Sequence, residues 1–190
     1  MADETLTLPD AAAWRAWLAE HHGDSTGVWL VTARKGTPGI SRDEALEEAL
    51  CHGWIDGQAR KNDDASYLQR YTRRRRNSAW SQRNVKIVER LTQQGRMRPA
   101  GLAEVERAKA DGRWDAAYAG PATIEVPADL REALSAVPEA QAKFERLTSQ
   151  NRYAVLYRIG TAKRPETRRR RIETFVAMLA RGETIHPQKS

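Results

Sequence analysis

Apolar and polar positions recur along this chain with two different periods. Over residues 10–22 they return every three or four positions, which puts Trp14, Trp17, Leu18 and His21 on one helical face. Asp10 supplies the cap of that helix and Gly23 its stop. Residues 27–33 read GVWLVTA, a buried strand, and Lys35-Gly36-Thr37-Pro38-Gly39 turns the chain after it. Ser41 and Glu44 have the spacing of a capping box. The helix they open presents Ala45, Leu46, Ala49 and Leu50 and ends at Gly53. Residues 54–60 then alternate with period two, turn residues occupy 62–66, and 67–72 alternate again. That pattern predicts a β-hairpin.

Beyond residue 77 the period is helical throughout. Ser78 is the expected cap of a helix that turns Trp80, Asn84, Ile87, Val88 and Leu91 inward and closes at Gly95. Pro99 opens another, with Leu102, Val105 and Ala108 inward and Gly112 after it. Three or four short helices follow, at 128–136, 139–148, 150–159 and 165–181, the last burying Ile172, Phe175, Val176 and Leu179. Early strands, late helices and no βαβ repeat predict an α+β fold. We expect a small antiparallel sheet of about three strands packed with helices, followed by a helical C-terminal region. The organisation expected is an α+β domain at 1–118, a linker at 119–127 (AGPATIEVP), a helical subdomain at 128–182 and a mobile tail at 183–190.

Composition changes this picture in one respect. Leu, Ile, Val and Phe make up only 17% of 190 residues, below the level at which disorder is suspected. Six Trp, five Tyr and three Met supply the missing apolar surface, and a net charge of +7 is small for this length. The expectation is a folded, tryptophan-anchored protein. The longest run of large apolar residues is four, Val28 to Val31, which excludes a transmembrane helix. An acidic start, Met1-Ala2-Asp3-Glu4, with no apolar segment after it predicts a cytoplasmic location, and a single cysteine, Cys51, fits a reducing compartment.

The charge is arranged in blocks. Residues 1–59 carry −6, 60–98 carry +9, 99–140 carry −4 and 141–190 carry +8. Alternating blocks permit ion pairing between segments, so a basic balance does not by itself define a nucleic-acid surface.

The chemistry-bearing residues concentrate in the hairpin. Period two puts Trp54, Asp56 and Gln58 on one face of its first strand and Tyr67, Gln69 and Tyr71 on one face of its second. Should the faces coincide, a carboxylate, two amides and three rings converge on a surface suited to a small polar ligand. The alternative is that the rings are core and Asp56 pairs with a nearby arginine such as Arg70 or Arg74. Arg73, Arg74, Arg75 and Arg76 lead into the next helix beside Trp80, where guanidinium groups and free amides could hold an anion. Equally, the run is a solvated counterweight to the acidic blocks. In the second run, Arg168 to Arg171, Arg168 is in phase with Ile172, so its stem is expected to pack.

Cys51 and His52 are adjacent on a helix and point about 100° apart, so they form no dyad. Four histidines without ligand spacing predict no metal site, and no phosphate-binding glycine loop or serine elbow suggests a cofactor or nucleophile.

Taken together, these motifs resemble the YdeI/OmpD-associated (bacteriocin-protection) family over roughly residues 10–182. The resemblance lies in Trp17-Leu18 with Gly27 to Leu30, in Glu47 to Gly57 around Cys51-His52-Gly53-Trp54-Ile55-Asp56-Gly57, in Tyr67 to Thr72, and in Ser78-Ala79-Trp80-Ser81 with Asn84. It continues through Gly95-Arg96-Met97, Gly101-Leu102, Ala162-Lys163, Thr167-Arg168 and Arg171-Ile172. His52 and Arg73 depart from the family's usual residues. The resemblance implies a role in protection against bacteriocins or antimicrobial peptides and carries over no catalytic residue.

The leading expectation is a non-catalytic binder of a small anionic or polar ligand. Its site would comprise Trp54, Asp56, Gln58, Tyr67, Gln69, Arg70, Arg74, Arg75, Trp80 and Asn84. The alternatives are a nucleic-acid-binding protein using the basic blocks 60–98 and 141–190, capture of cationic peptides by the acidic blocks, or an enzyme of unknown reaction.

Overall fold

The computed structural model describes residues 4–188. Strand β2 (Gly27–Ala33) is the apolar run GVWLVTA, and it lies inside a four-stranded sheet of order β1-β2-β4-β3. Its antiparallel neighbour is β4 (Ser66–Arg73), which also pairs antiparallel with β3 (Trp54–Lys61) to make the expected hairpin. The fourth strand, β1 (Glu4–Leu6), runs parallel to β2 and makes the sheet mixed. Three residues are too short to show a period, so β1 is legible only through its pairing.

Helices cover one face of this sheet. Helix α1 (Ala11–His21) starts at Asp10, which accepts the Ala13 amide, and α2 (Arg42–Cys51) starts at Ser41 with both bonds of the capping box formed. Trp14, Leu18, Ala45 and Ala49 from these helices meet Val28, Leu30, Trp54 and Tyr71 from the sheet. The other side of α2 carries Leu46, Leu50 and Cys51 into a second cluster with Trp80, Val88 and Leu91 of the chain leading into and through α3 (Gln82–Gln93). Ser81, not Ser78, caps α3 by accepting the Asn84 amide. Ser78 instead accepts the Arg75 amide in the preceding turn, which delays the helix by one turn.

Helix α4 (Pro99–Ala110) turns Gly101, Val105 and Ala108 inward, whereas Leu102, expected inward, is 40% exposed. The close approach of α4 to the end of α2 explains the shift. A β-carbon on Gly101 would lie 2.3 Å from the Cys51 carbonyl oxygen and 2.8 Å from that of Leu50, so only glycine fits the contact row. Gly101→Ala is accordingly expected to cost about 1–3 kcal/mol by forcing two backbones apart. A urea titration followed by tryptophan fluorescence reads this directly, and wild-type stability in the variant would contradict the contact.

The chain divides into two compact units, 1–117 and 118–190. All six tryptophans belong to the first. The second comprises α5 (Ala128–Ser135), α6 (Pro138–Glu145), α7 (Ser149–Gly160) and α8 (Pro165–Ala180) around Leu130, Phe144, Leu156, Ile159 and Leu179. Arg168 packs as its phase requires and forms a two-point ion pair with Asp129. Of the tail from residue 183, positions 189–190 lie outside the described residues. The earlier part is tethered: the His186 amide donates to the Asn151 side chain, and the Gln188 side-chain Oε1 accepts the Thr148 amide. Among the described residues, no helix is long and apolar enough to cross a membrane.

Candidate functional site

The residues singled out in the hairpin separate into two groups, because strand pairing and helix packing act on them differently. Trp54 and Asp56 share the helix-covered face with Tyr71, which lies directly opposite Asp56, and with Gln69 and Tyr67 further along β4. Trp54 is fully buried, edge-on to Trp14 and Trp17, and its indole N–H donates to the His22 carbonyl at 3.2 Å. It is core rather than a ligand wall.

A register break between Asp56 and Ala59 then redirects the strand. One extra residue in a bulge moves every later side chain to the other face. Gln58 is therefore turned away and exposed, and Ala59 takes the place opposite Gln69. The buried Gln69 amide fills the bulge, its Nε2 donating to the Gly57 and Gln58 carbonyls at 3.0 and 3.1 Å. Its role is local and structural. Arg70, opposite Trp29, lies on the other face of the sheet.

The second group sits at the exit from β4. Arg74 is buried, with its guanidinium carbon 3.6 Å above the Trp80 ring and Nη1 donating to the Ala79 carbonyl. Trp80 packs in turn on Trp114, and Asn84 is buried one turn into α3. This cation–π stack joins a loop to the second core cluster. Arg75 and Arg76 point to solvent, and Arg73 donates to the Gly23 carbonyl at 2.7 Å.

Asp56 does pair with an arginine, but with Arg42 at the start of α2, at 2.9 Å, rather than with Arg70 or Arg74. This pair marks one end of a cleft of about 560 Å³ lined by Arg34, Lys35, Arg42, Tyr67, Ser41 and Asp43. The loop between β2 and α2 forms its wall. That loop is held by the Thr37 hydroxyl, at 2.8 Å from both the Arg34 and Ala65 carbonyls. Gly36 and Gly39 adopt positive φ of 87° and 121°, which keeps the loop tight. Asp43 is engaged by Arg83 at 2.7 Å. The hydrogen bond to Asp56 holds the Arg42 guanidinium more firmly charged, while burial pushes the Tyr67 and Tyr71 hydroxyls up and keeps both neutral. Of the expected site residues, Tyr67 lines this cleft, and Asp56 is linked to it through its pair with Arg42. Arg34, Lys35 and Arg42 were not in that set; only the capping box, which places Arg42 at the first helical position, pointed toward one of them.

Two further sequence readings can be checked by environment. Cys51 is buried, and burial pushes its thiol to about 11, so it carries no thiolate at neutral pH. His52 turns Nδ1 to the Glu48 carbonyl at 2.9 Å, and burial lowers its basicity. Among the described residues, no group of three or more His, Cys, Asp or Glu side chains could hold a metal ion.

The charge blocks pair as their alternation allowed. Glu47 and Glu48 of the first acidic block bind Arg90 and Arg96 of the first basic block, and Asp129 of the second acidic block binds Arg168 of the second basic block. Arg171 donates to the Arg158 carbonyl. These pairs engage part of the two basic blocks.

Comparison with known families separates the same two parts of the chain. Residues 6–104 match the family described as "Domain of unknown function (DUF8412)", and residues 123–182 match the family described as "Bacteriocin-protection, YdeI or OmpD-Associated". No curated protein and no solved structure matches the chain.

Proposed function

We propose that this chain, which belongs over residues 6–104 to the DUF8412 family and carries a bacteriocin-protection, YdeI or OmpD-associated domain at residues 123–182, is a binding protein of the protection type that takes a small anionic or polar ligand. The observation that carries this reading is the convergence of Arg34, Lys35 and Arg42 with Tyr67 around one cleft at the first turn of α2. Three cations near a helix N-terminus favour an anionic group, and the fixed Arg42–Asp56 pair orients one of them. Tyr67, kept neutral, offers a hydroxyl donor beside them.

A thermal-shift screen against small anions and nucleotides tests this. A ligand at about 100 times its Kd stabilises the folded state by about 2.7 kcal/mol. Lys35→Ala and Arg42→Ala are each expected to abolish the shift produced by at least one hit, with Lys35→Ala leaving the Arg42–Asp56 pair in place. A panel without hits, or one in which every hit is indifferent to both substitutions, would remove this reading.

A further inference from the structure

A second cleft, of about 440 Å³, lies between α1, the end of α2 and the start of α4. Its polar lining consists of Arg15, His22, His52 and Arg98; Ala12, Ala16 and Ala19 of α1, with Pro99, supply a smooth apolar wall. The two imidazole rings are 5.8 Å apart between centroids. Each turns Nδ1 to a backbone carbonyl one turn earlier, His22 to Leu18 at 2.8 Å and His52 to Glu48 at 2.9 Å.

Those carbonyls decide the tautomers. A ring nitrogen facing a carbonyl oxygen must carry the proton, so in the neutral ring Nε2 holds a lone pair and can only accept. His52 is more than nine-tenths buried, and burial, with the nearby charge of Arg98, lowers its basicity despite its bond to the Glu48 carbonyl. The arginines are the donors. Arg15 uses Nε and Nη2 on Glu48, leaving Nη1. Arg98 has an exposed side chain with no hydrogen bond or ion pair among the described residues. It also occupies the N-cap position of α4, which has no capping side chain.

Guanidinium donors facing an imidazole acceptor are complementary to an anion that carries both bare oxygens and a hydroxyl. We propose that this cleft binds a singly protonated phosphate, Arg98 and Arg15 donating to its bare oxygens and Nε2 of His52 accepting its hydroxyl. The alanine and proline wall suits a compact organic group on the phosphate. A fully deprotonated oxyanion such as sulfate lacks the proton that Nε2 requires, so it binds only by first charging a buried ring.

The test is histidine-detected NMR at about pH 6.5, where phosphates are still partly monoprotonated and sulfate is not. Inorganic phosphate, phenyl phosphate and sulfate are titrated against the full chain, His22→Asn serving to assign one of the four ring signals. Saturable shifts of the His22 and His52 signals with phosphate, at least tenfold weaker for sulfate, are expected. Arg98→Ala, at an exposed position, is expected to weaken binding at least tenfold while leaving the melting temperature unchanged. Tighter binding of phenyl phosphate assigns an organic ester, and equal binding assigns inorganic phosphate. Arg42→Ala leaves this response intact, which separates it from the cleft at the start of α2. Absence of saturable shifts at millimolar phosphate, sulfate binding equal to phosphate, or an Arg98→Ala variant that binds like wild type would overturn the proposal.

Discussion

Replacing Arg15 and Arg96 together by alanine is expected to destabilise the first unit by about 3–5 kcal/mol, because it strands a buried carboxylate. The Glu48 side chain is only 3% exposed and sits between Arg15 at 2.8 Å and Arg96 at 2.7 Å, whose own side chains are 45% and 35% exposed. Solvent can therefore reach the arginines but not the glutamate. Removing the cations leaves an uncompensated buried charge, whereas removing the glutamate leaves two cations still largely hydrated. Adding Glu48→Met to the double variant is expected to restore most of the loss, since an apolar side chain of similar size needs no partner.

The pH dependence has a definite sign. Burial pushes the Glu48 carboxyl up, but its bonds to Arg15 and Arg96 outweigh that and hold it below its ordinary value. In the wild type this group contributes stability fully above the unfolded pKa of about 4.3 and loses it as pH falls through the lower folded value. In the double variant burial is no longer opposed and raises the folded pKa, so this group's contribution to stability falls as pH rises from the unfolded value to the folded one. The gap between the two proteins is thus expected to narrow as pH falls toward about 4. Urea titrations at several pH values measure it. A gap that is constant with pH, or no rescue by Glu48→Met, would refute the stranded-charge account.

Trp54→Ala is expected to cost about 3–5 kcal/mol as a large-to-small core substitution. Trp54 is fully buried, with ring centroids 6.4 Å from Trp14 and 5.8 Å from Trp17, both near-perpendicular. The five remaining tryptophans all lie in the first unit and report its unfolding. A ligand-wall role would predict lost binding with a stability loss under about 1 kcal/mol, small for a buried tryptophan. Fluorescence-monitored denaturation, run beside the anion screen, distinguishes the two outcomes.

Local signals proved reliable where one residue or one period settles the matter. Ser41 with Glu44, Asp10, and Pro99 start helices where the chain chemistry says they should, and the hairpin strands begin and end within one residue of their period-two runs. The misplacements have local physical causes as well. Ser78 and Ser81 both have cap chemistry, and the choice between them depended on which amide each could reach. Leu102 lost its inward place to Gly101 because two backbones meet there.

The candidate site was much less legible than the fold. Alternation ranked the residues of β3 and β4 correctly up to Asp56, and a single bulge, filled by Gln69, then turned Gln58 away. The cleft residues Arg34, Lys35 and Arg42 belong to a loop and a helix start, and His22 and Arg98 are 76 positions apart in the chain yet line one cavity. Periodicity, caps and charge blocks act over one or two turns or as sums, so they are written into the chain and specified the α+β elements, the tryptophan-rich core and the capacity for ion pairing. Which arginine meets which carboxylate, which ring is core and which cleft opens depend on how elements distant in sequence pack against one another. Those choices were made by register, bulge and helix–helix approach, and they place the two clefts at the ends of α1, α2 and α4.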